Sequence, residues 1–288
     1  MDRIKFMIDS GSDIPPPEVA DALDAEVVPL YRVIDGVPVL DYHDFNIQEY
    51  SEYLKTCKEI PTTSQPSPED FLTRYERFAD EGYDHIICIT MSVHGSGTYN
   101  SAVLASEMFK EHHPESAMQI HVVDSWSCSL NMVMELRLAN HLLEAGAGIR
   151  TILDELYAVR EKVRTYYLID NLEFLIKGGR VSPLKGGIAA KLRIKPIVAI
   201  KNGEGSIPAN AMGYQNGLSK LAHFFWEDCT PDSELYVSHA GCPEKAMAIV
   251  EKIRERYHNL KYYIYPMLGT MSTQSGPDSI GIFYTKNK

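Results

Sequence analysis

Nowhere does the sequence carry an apolar run of membrane-spanning length, about 18 residues. Its opening, MDRIKFMID, enters a strand-like pattern at once, with no apolar stretch of signal-peptide length. The expectation is a cytoplasmic protein without a membrane span. Positive charge is also scarce: Lys and Arg number 28 against 39 Asp and Glu, a formal net charge of −11. Phosphate backbones and anionic membrane surfaces are therefore poor partners, no nucleic acid is expected, and any bound anion must be gripped locally. The five cysteines (Cys57, Cys88, Cys128, Cys229, Cys242) are scattered, odd in number and without C-x-x-C spacing. Neither a disulfide framework nor a zinc site follows, and structural thiols are expected. The phosphate-loop pattern G-x-x-x-x-G-K-[ST] is missing, and the nucleophile elbow G-x-S-x-G fails around Ser96 because position 94 is His. There is no low-complexity linker and no internal repeat.

What is present is enough for a large core. At 288 residues, 44% of them hydrophobic, the chain exceeds what one compact core usually organises, so two closely joined domains are expected. The runs IKFMID (4–9), HIICIT (85–90) and QIHVVD (119–124) are continuous and apolar, and each precedes a helical pattern. Such runs indicate parallel strands buried on both faces, an α/β layer domain. Asp35-Gly36 predicts a turn between short extended pieces, Asn46 a helix cap, and Gly146-Ala147-Gly148 a helix stop before IRTILDELYAVREKV. The boundary is expected near the end of that helix, giving domains of 1–162 and 163–288.

The second half changes character. Strand-like runs at 165–170, 195–200, 234–240, 261–266 and 279–284 mix with helical segments at about 171–177, 183–192, 214–227 and 244–257. A mixed sheet covered by helices, an α+β unit, is consistent with this order.

Ligands of open parallel sheets sit beyond the strand C-termini, where loops entering helices present backbone N–H groups. Ser92-Val93-His94-Gly95-Ser96-Gly97-Thr98 is one such loop, with two glycines flanking Ser96. A second hydroxyl-rich stretch, PTTSQPSPEDF, begins at Pro61. Ser67 before Pro68, with Glu69 and Asp70 in the first turn, is explained by helix initiation alone. Thr62, Thr63, Ser64 and Gln65 are not, and with Ser96 they suggest a small oxygen-bearing ligand.

Other polar residues have plainer readings. Asp9 and Asp124 end strands and are expected to accept loop N–H bonds rather than hold a cation. His94 beside Ser96 is a poor general base at that spacing, and His112-His113 and His43-Asp44 lack a coherent ligand set. Arg180 could face a head group or a partner surface, and His239 could reach an interdomain cleft. Three classes stay open: a lipid carrier, a phosphate-binding transferase or hydrolase cradling its anion on Gly95-Ser96-Gly97, and a serine hydrolase.

In order and spacing, IDSGSDIP, VVPL, PTTSQPSPEDF, GSGTYNSA, VVDS, NLEFLIKGGRVS, IKPI and GPDSIGIFY resemble the DegV family from end to end. The TTSQPS and SGTYNSA elements are the most specific. The resemblance implies a two-domain DegV-like α/β fold: an N-terminal three-layer parallel-sheet domain and a C-terminal α+β domain with a mixed sheet. It implies a bacterial lipid-binding protein that holds a long-chain fatty acid such as palmitate in a buried tunnel, chiefly in the second domain, with no other cofactor. The family's carboxylate ligands carry over as Thr63 and Ser96, with Thr62 and Ser92 beside them. Some members present the fatty acid to an ATP-dependent kinase that makes acyl phosphate; the binding subunit is not itself an enzyme. Two departures stand out. The stretch Asn210–Gly217 has no Arg or Lys where the family is basic, and Gln274 stands where a histidine is usual. The Val93-His94 pair also differs from the usual Ser-Gly-type turn.

Overall fold

The computed structural model describes residues 2–14, 20, 22–42, 46–180 and 194–288. The helix expected at 183–192 and the His43-Asp44 pair lie outside these residues.

Four parallel strands form the first sheet, in the spatial order Ala25–Val28, Ile4–Asp9, His85–Thr90, Gln119–Asp124. The two central strands, Ile4–Asp9 and His85–Thr90, are almost wholly buried because both faces of the sheet are covered. Met7, Ile86 and Cys88 pack beneath the helices Pro68–Asp80 and Thr98–His112, through Phe71, Tyr75, Phe78 and Phe109. Phe6, Ile8, Ile87 and Ile89 face the helices Leu130–Glu144 and Ile149–Val159, through Leu130, Val133, Leu136 and Ile152.

The second sheet has six strands, in the order Glu204–Met212, Ile194–Lys201, Val163–Leu168, Ile280–Thr285, Glu234–His239, Lys261–Pro266. Its last pair is parallel and the others are antiparallel, so the sheet is mixed. Side-chain alternation divides it cleanly. Tyr167, Tyr236 and Phe283 join the core shared with helix Leu130–Glu144. Leu168, Val237 and Ile282 pack on Leu221, Phe225 and Ile249 of the helices Tyr214–Asp228 and Pro243–Arg254. Helix Leu130–Glu144 thus lies between the two sheets.

A third, three-stranded antiparallel sheet pairs Val37–Leu40 with Tyr31–Ile34 and Tyr31–Ile34 with Thr62–Ser64. Asp35 and Gly36 turn the hairpin with φ of 50° and 81°, the left-handed pair that a tight two-residue turn requires. Asn46 caps the helix Ile47–Thr56, accepting from the N–H groups of Gln48 and Glu49. Ser67 and Asp70 form a reciprocal capping box at the start of Pro68–Asp80. All five cysteines are free, and four are buried. Among the described residues no helix is long and apolar enough to cross a membrane.

Candidate functional site

A cavity of about 220 Å³ opens between the two large sheets. Its described lining comes from both halves of the chain, with most of the apolar residues from the second. Leu30, Met91, Cys128, Tyr167, Ile169, Val198 and Met271 supply the apolar wall, while Thr63, Ser64, Gln65, Ser96, Arg180 and Gln274 gather at the polar mouth.

Thr63 owes its place to strand pairing. Thr62–Ser64 is a short strand, and Thr63 pairs with Arg32 of Tyr31–Ile34. Thr63 is half-buried and lines the cavity, while Thr62 is exposed and is not among its lining residues. Thr62, expected beside the head group, is therefore not brought to it. The Thr63 hydroxyl accepts a hydrogen bond of 2.9 Å from the Gln274 Nε2–H. With that lone pair occupied, its own proton is available to an anion. Gly178 makes room for this arrangement, since a Cβ there would sit 2.0 Å from Gln274 Oε1.

Ser96 is arranged in the same sense. Its Oγ accepts from the Thr98 N–H at 3.3 Å and shares a 2.8 Å hydrogen bond with the Thr98 hydroxyl. If Thr98 donates in that pair, the Ser96 proton also points away as a donor. Gly97 lets Gln65 approach; a Cβ at 97 would lie 2.0 Å from Gln65 Oε1, and Gln65 Nε2 donates to Ser101 Oγ at 3.1 Å. The turn is a poor phosphate cradle, because the N–H groups of Gly95 and Ser96 already donate to the Ser92 carbonyl at 2.9 and 3.0 Å.

Ser92 also lines the cavity, but its hydroxyl is a strut. It donates to the Gly203 carbonyl at 3.3 Å and accepts from the His94 N–H at 3.2 Å, tying the first sheet's loop to the tip of the hairpin after Ile194–Lys201. Arg180 lines the mouth, and its Nε–H donates to the Gly95 carbonyl at 3.3 Å. His94 is exposed and outside the cavity. His239 also lies off it, buried, its Nδ1 accepting from the Cys242 N–H at 3.2 Å; burial lowers its pKa. Asp9 accepts from Gly11 and Met91 N–H at 2.8 and 2.7 Å, and Asp124 from Trp126 N–H at 3.0 Å, the acceptor roles their positions suggested. Among the described residues no group of His, Cys, Asp and Glu could hold a metal ion.

The helix Gly269–Ser275, of which the sequence singled out only Gln274, brings Thr270, Met271, Gln274 and Ser275 to the cavity. Two buried carboxylates of the first half hold its start. Asp13 accepts from the Leu268 N–H and Asp41 from the Thr270 N–H, each at 2.6 Å. Arg32 stands 3.4 Å from Asp41, and its guanidinium lies over the Tyr50 ring. The Tyr50 hydroxyl meets Thr273 Oγ1 at 2.6 Å. Burial pushes the Asp41 carboxyl up to about 7 even though Thr270 and Arg32 pull it down; Asp13 is raised well above its ordinary value, also by burial. The only sequence signal for this contact is a run of small and hydroxyl residues, GTMSTQS, with no helical periodicity.

The chain is similar in sequence and fold to proteins already known. The sequence profile described as "Uncharacterised protein, DegV family" matches residues 3–287. A Thermotoga maritima protein named "Fatty acid-binding protein" is 31% identical over 285 residues, covering 97% of this chain and 96% of its own. A Thermotoga maritima structure described as revealing fatty acid binding function superposes with a TM-score of 0.87 at 29% identity, covering 100% of both chains. A structure of a fatty-acid-binding DegV family protein from Thermus thermophilus does so with 0.88 at 28%, covering 99% of this chain and 100% of its own. With residues 3–287 matched in sequence and the fold shared, this chain belongs to the DegV family.

Proposed function

We propose that this protein binds one long-chain fatty acid in the cavity between its sheets, with the carboxylate at Thr63 and Ser96. The observation that carries the reading is an apolar-walled cavity whose mouth holds two hydroxyls, each with a lone pair already occupied by a neighbouring donor. The names of its relatives support the same ligand. Burying methylenes at about 0.8 kcal/mol each supplies the gross driving force, so the head group needs only hydroxyl donors. Arg180 at the mouth is a candidate second contact. Ser92 supports the site through Gly203 and is not a ligand in this reading. Mass spectrometry of an organic extract from the purified protein tests it: long-chain fatty acid in near-equal ratio to protein is expected, and its absence together with failure to take up added palmitate would overturn it.

The division of the sheets supports domains of 1–162 and 163–288. We further propose that the protein is not itself an enzyme and presents the acyl carboxylate to an ATP-dependent fatty acid kinase. In this reading the docking surface includes Asn210–Gly217, which ends an exposed edge strand and opens the next helix and carries no Lys or Arg where the family resemblance implies basic residues. Charge of this kind sets encounter rate and partner choice. Acyl-phosphate formation with a kinase adapted to basic relatives should be poor, and should rise when two lysines are placed in 210–217 and Gln274→His is added.

A further inference from the structure

The cavity lining runs from Arg180 in solvent to fully buried side chains, among them Ile169 at 1%, Tyr167 at 3% and Cys128 at 8%. Tyr167 sits on Val163–Leu168, inside the six-stranded sheet, and its side chain points to the face shared with helix Leu130–Glu144. Three contacts hold its ring. Phe283 meets it edge to face with centroids 5.5 Å apart. The Cys128 sulfur lies 3.5 Å from its hydroxyl. Directly opposite on Ile280–Thr285, its paired residue is Gly281, where a Cβ would stand 2.8 Å from Tyr167 Cε1. The missing side chain at 281 is therefore what lets the ring lie flat on the neighbouring strand. A ring gripped on three sides cannot swing away from a ligand, because close-packed interiors yield little to added volume.

Cys128 completes this end from the other layer. It lies just before helix Leu130–Glu144, so the two residues meet across the gap between the sheets. Burial pushes its thiol up to about 12, which keeps it protonated, an uncharged wall group at neutral pH. The groups proposed to meet the carboxylate, on Thr63, Ser96 and Gln274, line the same cavity.

We propose that Tyr167 and Cys128 form the floor of the cavity and set the longest acyl chain it accepts. The inference rests on the fatty-acid reading above and adds the residues that decide chain length. A chain that reaches the floor gains from each methylene; one carbon more must displace the ring or leave its carboxylate short of Thr63 and Ser96. Affinity is then expected to climb with length and fall sharply once the chain meets the ring.

The test uses the full-length protein, stripped of lipid, with saturated acids from myristate to arachidate competing against a fluorescent fatty acid. Tyr167→Leu deepens the floor, so the affinity ratio of arachidate to myristate should rise about tenfold or more, the equivalent of two further buried methylenes. Cys128→Leu raises the floor and should move the ratio in the opposite direction. Thermal melting confirms that each variant is folded, and if Tyr167→Leu does not fold, Cys128→Leu decides alone. A folded variant with the wild-type length profile would overturn the inference while leaving fatty-acid binding intact. A wild-type protein that binds none of the acids would overturn the functional reading itself, and this inference with it.

Discussion

At the mouth of the cavity the side chains are polar and come from a short strand, a loop and a helix; along the wall they are apolar and come largely from strands or their ends. In the proposed reading Thr63, Ser96 and Gln274 would act through directed hydrogen bonds, where one lost proton changes the interaction outright. Tyr167, Ile169 and Val198 act through volume, which changes by small steps. The mouth also depends on contacts between distant parts of the chain: Gln274 to Thr63, Ser92 to Gly203, Arg180 to Gly95. A mutation at the mouth should therefore weaken every ligand alike. One in the wall should change the ranking among ligands.

The sharpest way to break this contrast is to remove both donors. Thr63→Val with Ser96→Ala deletes two hydrogen bonds to a charged acceptor, each worth about 1.5–3 kcal/mol, so palmitate should bind at least about 100-fold more weakly. Calorimetric titration reads the affinity and thermal melting should show the fold retained. Unchanged affinity would remove the carboxylate from these residues.

A second effect concerns the helix that carries Gln274. Folding raises the Asp41 carboxyl from its ordinary value near 3.8 to about 7, through burial. Protonation is therefore favoured in the folded state. The stability this contributes is present in full below about pH 4 and is lost as pH rises through about 7. Urea unfolding should show stability falling over that window, by an amount on the order of a few kcal/mol. Asp41→Asn should flatten the slope. Asp9, also raised to about 7 by burial, and Asp13 and Glu135, raised well above their ordinary values by burial, should leave a remainder in that variant. A slope identical in wild type and Asp41→Asn would refute the assignment.

A smaller loss is expected at Gly203, which has φ of 81° and lies where a Cβ would come within 2.1 Å of Ser92 Oγ. Gly203→Ala should lower stability by about 1–3 kcal/mol, seen as a reduced melting temperature. The smallest effect sharpens the comparison most finely. Thr62→Val, one residue from Thr63 but on the solvent side of the strand, should leave palmitate affinity within about twofold of wild type.

Local chemistry made much of this legible in advance. The strands at 4–9, 85–90 and 119–124 have the bounds their apolar runs suggested. Ser67 caps its helix, and Asp35-Gly36 turns its hairpin, because each needs only near neighbours. What stayed hidden depends on partners far away in the chain. Thr62 and Thr63 are equivalent until Thr62–Ser64 is known to pair with Tyr31–Ile34, which then gives them opposite faces. Ser92 reads as a ligand until Gly203 arrives to take its proton. The helix Gly269–Ser275 has no periodicity to announce it, and it is held by Asp13 and Asp41, more than 200 residues earlier. The resemblance to the DegV family brought Thr63 and Ser96 forward together; composition and spacing alone left them as two hydroxyl-rich loops.

The central claim is that an apolar wall and a hydroxyl mouth bind one ligand together. Titrating lipid-free protein with palmitate and with acetate tests it most directly, because both carry the same head group and only palmitate can fill the cavity. Palmitate should bind one to one, at least about a thousandfold more tightly than acetate, as expected when even a few methylenes are buried at about 0.8 kcal/mol each. Equal affinity for the two would mean that the mouth alone binds an anion and that the apolar cavity has no part in it.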